Sequence, residues 1–204
     1  YGFAGSLGLF VDAASPEGGD GSAERPLRDL GAALEYGLSL KRNSPCIGKG
    51  KDGANMGADL GTCDPGEPTG RVVHLAAGRY LLAGLTLAHG ASILGEGADA
   101  AILEGTVWGL RTGATLSGVT VTLGAAGGVV LGSTESPEIA SCTIRGNSSH
   151  GVYCGERSLA TVKDCTISGN SAGAWGGGGV YCLGSPTLTG CVISGNSADL
   201  GGGG

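Results

Sequence analysis

Charge is scarce in this chain, and basic charge is scarcest. Asp, Glu, Lys and Arg make up 15% of the 204 residues, and 12 bases against 18 acids leave a formal charge of −6. Phosphate binding needs clustered Lys and Arg, so a nucleic-acid partner is not expected. Little charge would suit a packed chain better than a disordered one, and a mean hydropathy of +0.17 agrees. Long apolar runs are missing too: no stretch approaches ~18 residues, so no membrane-spanning helix is expected. Proline is limited to 7 residues and glycine keeps no three-residue period, which excludes collagen. The cysteines form no CxxC pair, so zinc-ribbon and thioredoxin-type chemistry have little support.

Glycine is what the chain has in excess, with 44 residues against an ordinary usage of ~7%. Charge is also unevenly spread. Residues 1–104 hold 13 acids and 8 bases, whereas residues 105–204 hold 5 and 4. Something other than ion pairs must organise the second half.

An internal repeat supplies it. Cys142-Thr-Ile-Arg-Gly-Asn147, Cys165-Thr-Ile-Ser-Gly-Asn170 and Cys191-Val-Ile-Ser-Gly-Asn196 align at offsets of 23 and 26 residues. Val119-Thr-Val121 is a degenerate earlier copy. Gly151-Val-Tyr-Cys154 and Gly179-Val-Tyr-Cys182 repeat with them, after a weaker Gly128-Val-Val-Leu131. Apolar residues fall three before, at, and two after the cysteine slot, with Thr or Val between the last two. That alternation of β-branched residues reads as strand with one buried face, and the Gly-Asn ending would break a helix. A unit this short cannot close its own core. Stacking units at ~4.8 Å pairs each strand with its equivalents above and below, which is a parallel β-solenoid. A β-sandwich, the competing all-β fold, gives no reason for identical residues at a coil-length period.

Near the N-terminus, residues 20–38 read as a short amphipathic helix, with Pro26 in its first turn and Leu27, Leu30 and Leu34 on one face. Such a helix could cover the open end of a solenoid. Val72–Leu75, Leu85–Leu87, Ser92–Leu94 and Ala101–Leu103 read as further strands.

Phe10-Val-Asp-Ala-Ala, the Gly-Asp-Gly-Ser-Ala-Glu-Arg-Pro run and the Ala-Ala-Leu helix together resemble the N-terminal cap of bacterial right-handed parallel β-helix proteins. Val73–Tyr80 and Ser92–Gly97 look like their first coils. The Gly-Gly-Val-Tyr-Cys and Ile-Ser-Gly-Asn-Ser-Ala repeats resemble later coils, including those of polymorphic outer-membrane-type proteins. The resemblance spans residues 10–38 and 72–204. It implies an all-β, single-stranded right-handed parallel β-helix of the pectate-lyase-like superfamily, with a short capping helix. It implies a secreted or surface-exposed bacterial protein. The fold hosts lyases, epimerases, adhesins and inert stalks alike, so function has to come from a site.

Three segments follow: 1–38, an N-terminal strand and capping helix; 39–70, an irregular insertion; 71–204, coils interrupted within a repeat. Asn43–Cys63 resembles a segment that usually closes such a helix, and is either a true insertion or a join of two gene pieces. Its Cys46 and Cys63 are the disulfide candidates. Asp52, Asn55 and Asp59 offer oxygen ligands without EF-hand spacing, and solvated loop polars are the plainer reading.

Cys142, Cys165 and Cys191 would form one column, with metal or redox chemistry as the sharper reading and a core stack as the favoured one. Asn147, Asn170 and Asn196 would form an internal amide ladder, the role implied by the resemblance. Gly169-Asn-Ser-Ala-Gly173 matches the nucleophile-elbow pattern, but neither sister repeat does, and no strand-to-helix turn is expected there. Ser141, Asp164 and Gly190 beside the cysteine slot, and Arg145, Ser168 and Ser194 after it, contain no stacked acids of the kind polysaccharide cleavage uses. His150, Glu156, Arg157 and Lys163 read as a solvated face. Tyr153 and Tyr181 occupy equivalent slots between Val and Cys, so they should face outward as a two-ring platform for a sugar, or as a plain surface stack. The expectation is a structural or adhesive segment that binds polysaccharide or cell-surface glycan. No catalytic residue, metal or cofactor is assigned. The alternative is a carbohydrate-active enzyme whose catalytic coils lie elsewhere.

Overall fold

A computed structural model describes residues 8–19, 21–35, 72–82, 86–87, 91–174, 176–200 and 202. The expectations for Cys46, Cys63, Asp52, Asn55 and Asp59 lie outside them.

Three parallel sheets wrap one core. The first contains β1 (Gly8–Val11), β2 (Val72–Leu75), β4 (Ser92–Gly95), β7 (Thr115–Ser117), β10 (Glu138–Ala140), β13 (Thr161–Lys163) and β16 (Thr187–Thr189). The second contains β3 (Gly78–Leu81), β5 (Ala101–Glu104), β8 (Thr120–Thr122), β11 (Thr143–Arg145), β14 (Thr166–Ser168) and β17 (Val192–Ser194). The third contains β6 (Val107–Trp108), β9 (Val129–Leu131), β12 (Val152–Cys154) and β15 (Val180–Cys182). From β4 onward the chain visits the three in turn, so each circuit there adds one rung to every sheet. This is the parallel β-solenoid that the repeat predicted.

The register follows the repeat residue by residue. Leu116, Ile139, Val162 and Leu188 are partners in the first sheet. Val121, Ile144, Ile167 and Ile193 are partners in the second. Both columns point inward, and their members up to Ile167 are fully buried. Burying such side chains is the main stabilising term, at about 1.5–3 kcal/mol each.

One local reading changes. The apolar positions around each cysteine do not belong to a single strand. Gly118, Ser141, Asp164 and Gly190, one residue before the slot, all have left-handed backbone, with φ of 64°, 51°, 51° and 65°. The chain turns a corner there between the first and second sheets. Ser141 and Asp164 are therefore corner residues and not the outward face of a strand. A corner is what lets Ile139 and Ile144 both point inward.

The N-terminal helix is shorter than its sequence suggested. Leu27 pairs with Val11 in a parallel bridge, with Leu27 N–H donating to Phe10 O at 2.9 Å. Pro26 thus leads into an extended segment, and α1 spans only Leu30–Glu35. Leu30 and Ala33 are buried in the same core as the coils.

Candidate functional site

Period-two alternation builds the outer face of the third sheet. Val129 and Leu131, then Val152 and Cys154, turn inward and are buried. The residues between them must therefore face out. The outward column runs Trp108, Val130, Tyr153, Tyr181, each the register partner of the next.

The rings in this column touch. Tyr153 and Tyr181 stack with centroids 5.8 Å apart and planes inclined by 23°. His150 joins them, stacked on Tyr181 at 4.9 Å and 14° and tilted against Tyr153 at 5.8 Å. The sequence placed His150 on a solvated face; it is 7% exposed. Its burial has a cause. The Gly177 carbonyl, which can only accept, takes a hydrogen bond from Nδ1 at 2.9 Å, and the ring packs on Tyr181.

Beyond Tyr153 the column changes character. Val130 is half-buried and short, while Trp108 on the next rung is 40% exposed. Between Trp108 and Tyr153 lies a groove of about 480 Å³, with Val130 on its floor and Arg111, Ser133 and Glu135 along one side. The Glu135 carboxylate is committed locally. It accepts from Thr112 N–H at 2.7 Å and Thr112 Oγ at 3.2 Å, with Arg111 at 3.5 Å. Gly128-Val-Val-Leu131 already placed Val130 in the tyrosine slot, but Trp108 went unnoticed because Thr106-Val-Trp108 lacks the Gly-Val-Tyr-Cys pattern. Counting back 22 residues from Val130, one short of the 23-residue coil, would have found it.

The two other ladders are internal. Asn147 N–H and Nδ2 donate to Asn170 Oδ1 at 3.1 and 2.8 Å; Asn170 N–H and Nδ2 donate to Asn196 Oδ1 at 3.0 and 2.9 Å. The same Nδ2 atoms reach back to Val121 O, Ile144 O and Ile167 O. The Asn147 and Asn170 amides thus each bind the coil before and the coil after. In the cysteine column, Cys142, Cys165 and Cys191 each place Sγ beside two carbonyls, at 3.1 to 3.7 Å. All are free thiols. The hydrogen bond with Cys165, then burial, holds the Cys142 thiol above its usual range. Burial pushes Cys154 up to about 12. The hydrogen bond between Cys142 and Cys165 holds Cys165 below its usual range, at about 7. The Sγ contacts with main-chain carbonyls make the column part of the core. Among the described residues, no three His, Cys, Asp or Glu side chains converge as a metal site.

Ser171, in the apparent nucleophile-elbow motif, sits in a parallel bridge with Ser197, and its Oγ accepts from Ser197 Oγ at 3.1 Å. Among the described residues no helix follows it. Lys163 pairs with Glu138 at 2.6 Å, so this part of the expected solvated face is an ion pair between rungs.

The family model described as right handed beta helix region matches residues 89–204, more than half the chain. The chain belongs to that family, and the winding is accordingly right-handed. No curated protein and no solved structure matches it. No helix among the described residues is long and apolar enough to cross a membrane.

Proposed function

We propose that this chain is a rigid, surface-exposed β-helix segment with a structural or adhesive role, and that it contacts glycans through the outer face of its third sheet. The observation that carries this reading is the register of Tyr153 on Tyr181, outward on consecutive rungs while Val152 and Cys154 are buried beneath. Aromatic side chains on a stiff scaffold offer large contact area at little entropic cost. Stacked identical coils supply stiffness without any catalytic group, since each coil contacts only its neighbours.

A panel of immobilised neutral and acidic glycans tests the reading. The unsubstituted protein should bind at least one class, and the double variant Tyr153→Ala/Tyr181→Ala should lose that binding while keeping its β-rich circular dichroism. Unchanged binding by the double variant would remove the platform.

A further inference from the structure

The two tyrosines spend much of their facing surface on each other and on His150, so the open aromatic surface lies elsewhere. We infer that the groove between Trp108 and Tyr153, floored by Val130, is a sugar slot that takes one neutral pyranose ring of a linear glycan. The inference rests on the glycan reading above and narrows it to a different part of the column.

Spacing is the first argument. Trp108 and Tyr153 stand two rungs apart, about 9.6 Å along the axis. Carbon contacts on both sides of an inserted ring need about 7–8 Å. A flat aromatic ring would leave a gap, whereas the pucker of a saturated ring fills it. The void exists because Val130 interrupts an otherwise aromatic column: a large ring there would continue the stack.

Charge is the second argument. Trp108, Val130, Tyr153 and Tyr181 bring no Asp, Glu, Lys or Arg charge to the column. The charged residues lining the groove, Arg111 and Glu135, are of opposite sign and 3.5 Å apart. They cancel at a distance, and the exposed Arg111 guanidinium still offers donors to hydroxyls at the rim, beside Ser133. An acidic sugar gains nothing net from that pair, which selects a neutral ring. An equatorially linked chain is a flat ribbon, and it can leave the slot along the straight outer column.

Calorimetric titration with a β-1,4-linked glucose hexasaccharide tests this, with the galacturonic acid hexasaccharide in parallel. The unsubstituted protein should prefer the neutral chain. Trp108→Ala and Val130→Tyr should each weaken binding about tenfold, the first by removing a wall and the second by filling the slot. Tyr181→Ala should change it by about twofold or less, because that ring lies outside the slot. Should Val130→Tyr fail to fold, Trp108→Ala against Tyr181→Ala still decides. Loss in Tyr181→Ala with none in Trp108→Ala overturns the slot and leaves the tyrosine platform standing. Preference for the acidic chain overturns the neutral assignment. Failure of the unsubstituted protein to bind either chain overturns the slot, and if the wider glycan panel is also negative it overturns the platform as well.

Discussion

Replacing Asn170 by Ala should be among the most damaging single changes in the chain. The Asn170 side chain accepts from Asn147 N–H and Nδ2 at 3.1 and 2.8 Å, and it donates to Ile144 O and Asn196 Oδ1 at 3.0 and 2.9 Å. The residue is fully buried, so no water replaces these partners. Four bonds at a net of about 1 kcal/mol each, plus about 1–3 kcal/mol for the Asn147 main-chain N–H left unsatisfied, give a loss of about 5–7 kcal/mol. Domains of this size are stable by only about 5–15 kcal/mol in total, so the variant should be near unfolding. Asn196→Ala removes similar bonds at a partly exposed position, where water can substitute, and should cost about 1–2 kcal/mol. Urea unfolding measures both, as shifts in midpoint at constant slope. Asn170→Asp adds a sign test. The carboxyl keeps the acceptors but cannot donate when ionised, and burial raises its pKa. The destabilisation should therefore shrink as pH falls and the group protonates. An Asn170→Ala cost below about 1 kcal/mol, or one equal to that of Asn196→Ala, would refute the idea that the amide ladder holds the coils together.

Other outcomes follow from the same packing. Gly151→Ala should cost about 3 kcal/mol by urea melt, because a Cβ there would lie 2.6 Å from Gly179 O and from Ile167 Cγ2. Cys154 is held near 12 by burial against an ordinary 9. Its contribution to stability is therefore intact below about pH 9 and lost as pH rises toward 12, so Cys154→Val should flatten the alkaline fall in melting temperature. Cys182 is exposed while Cys142, Cys154 and Cys165 are buried. Alkylation under native conditions, read by mass spectrometry, should label Cys182 and spare the other three. Lys163→Gln should leave the urea midpoint nearly unchanged, since both partners of its ion pair are substantially exposed.

The solenoid was legible because its physics is periodic. Equivalent residues 23 or 26 apart had to meet, and Ile144, Ile167 and Ile193 do. The asparagine ladder and the outward tyrosines followed from the same period. Features that break the period were harder to see. Ser141 and Asp164 adopt left-handed φ without being glycine, so only the glycines in the equivalent slots, Gly118 and Gly190, marked the corner between sheets. Leu27 has the spacing of a helical face but pairs with Val11 instead, because tertiary contact outweighs local propensity. The burial of His150 depends on the Gly177 carbonyl 27 residues away, a contact no local pattern encodes. The Trp108 groove was hidden for a related reason: it arises from what Val130 lacks, and a missing ring has no motif.

Methyl-selective nuclear Overhauser spectra of the isoleucines test the in-register stack most directly. Ile144 and Ile167, and Ile167 and Ile193, are register partners on adjacent rungs of the second sheet. Each pair should give a strong cross-peak. Ile144 and Ile193, two rungs and about 9.6 Å apart, should give none. A direct contact between Ile144 and Ile193, or no contact between Ile144 and Ile167, would contradict the parallel solenoid on which every site described above depends.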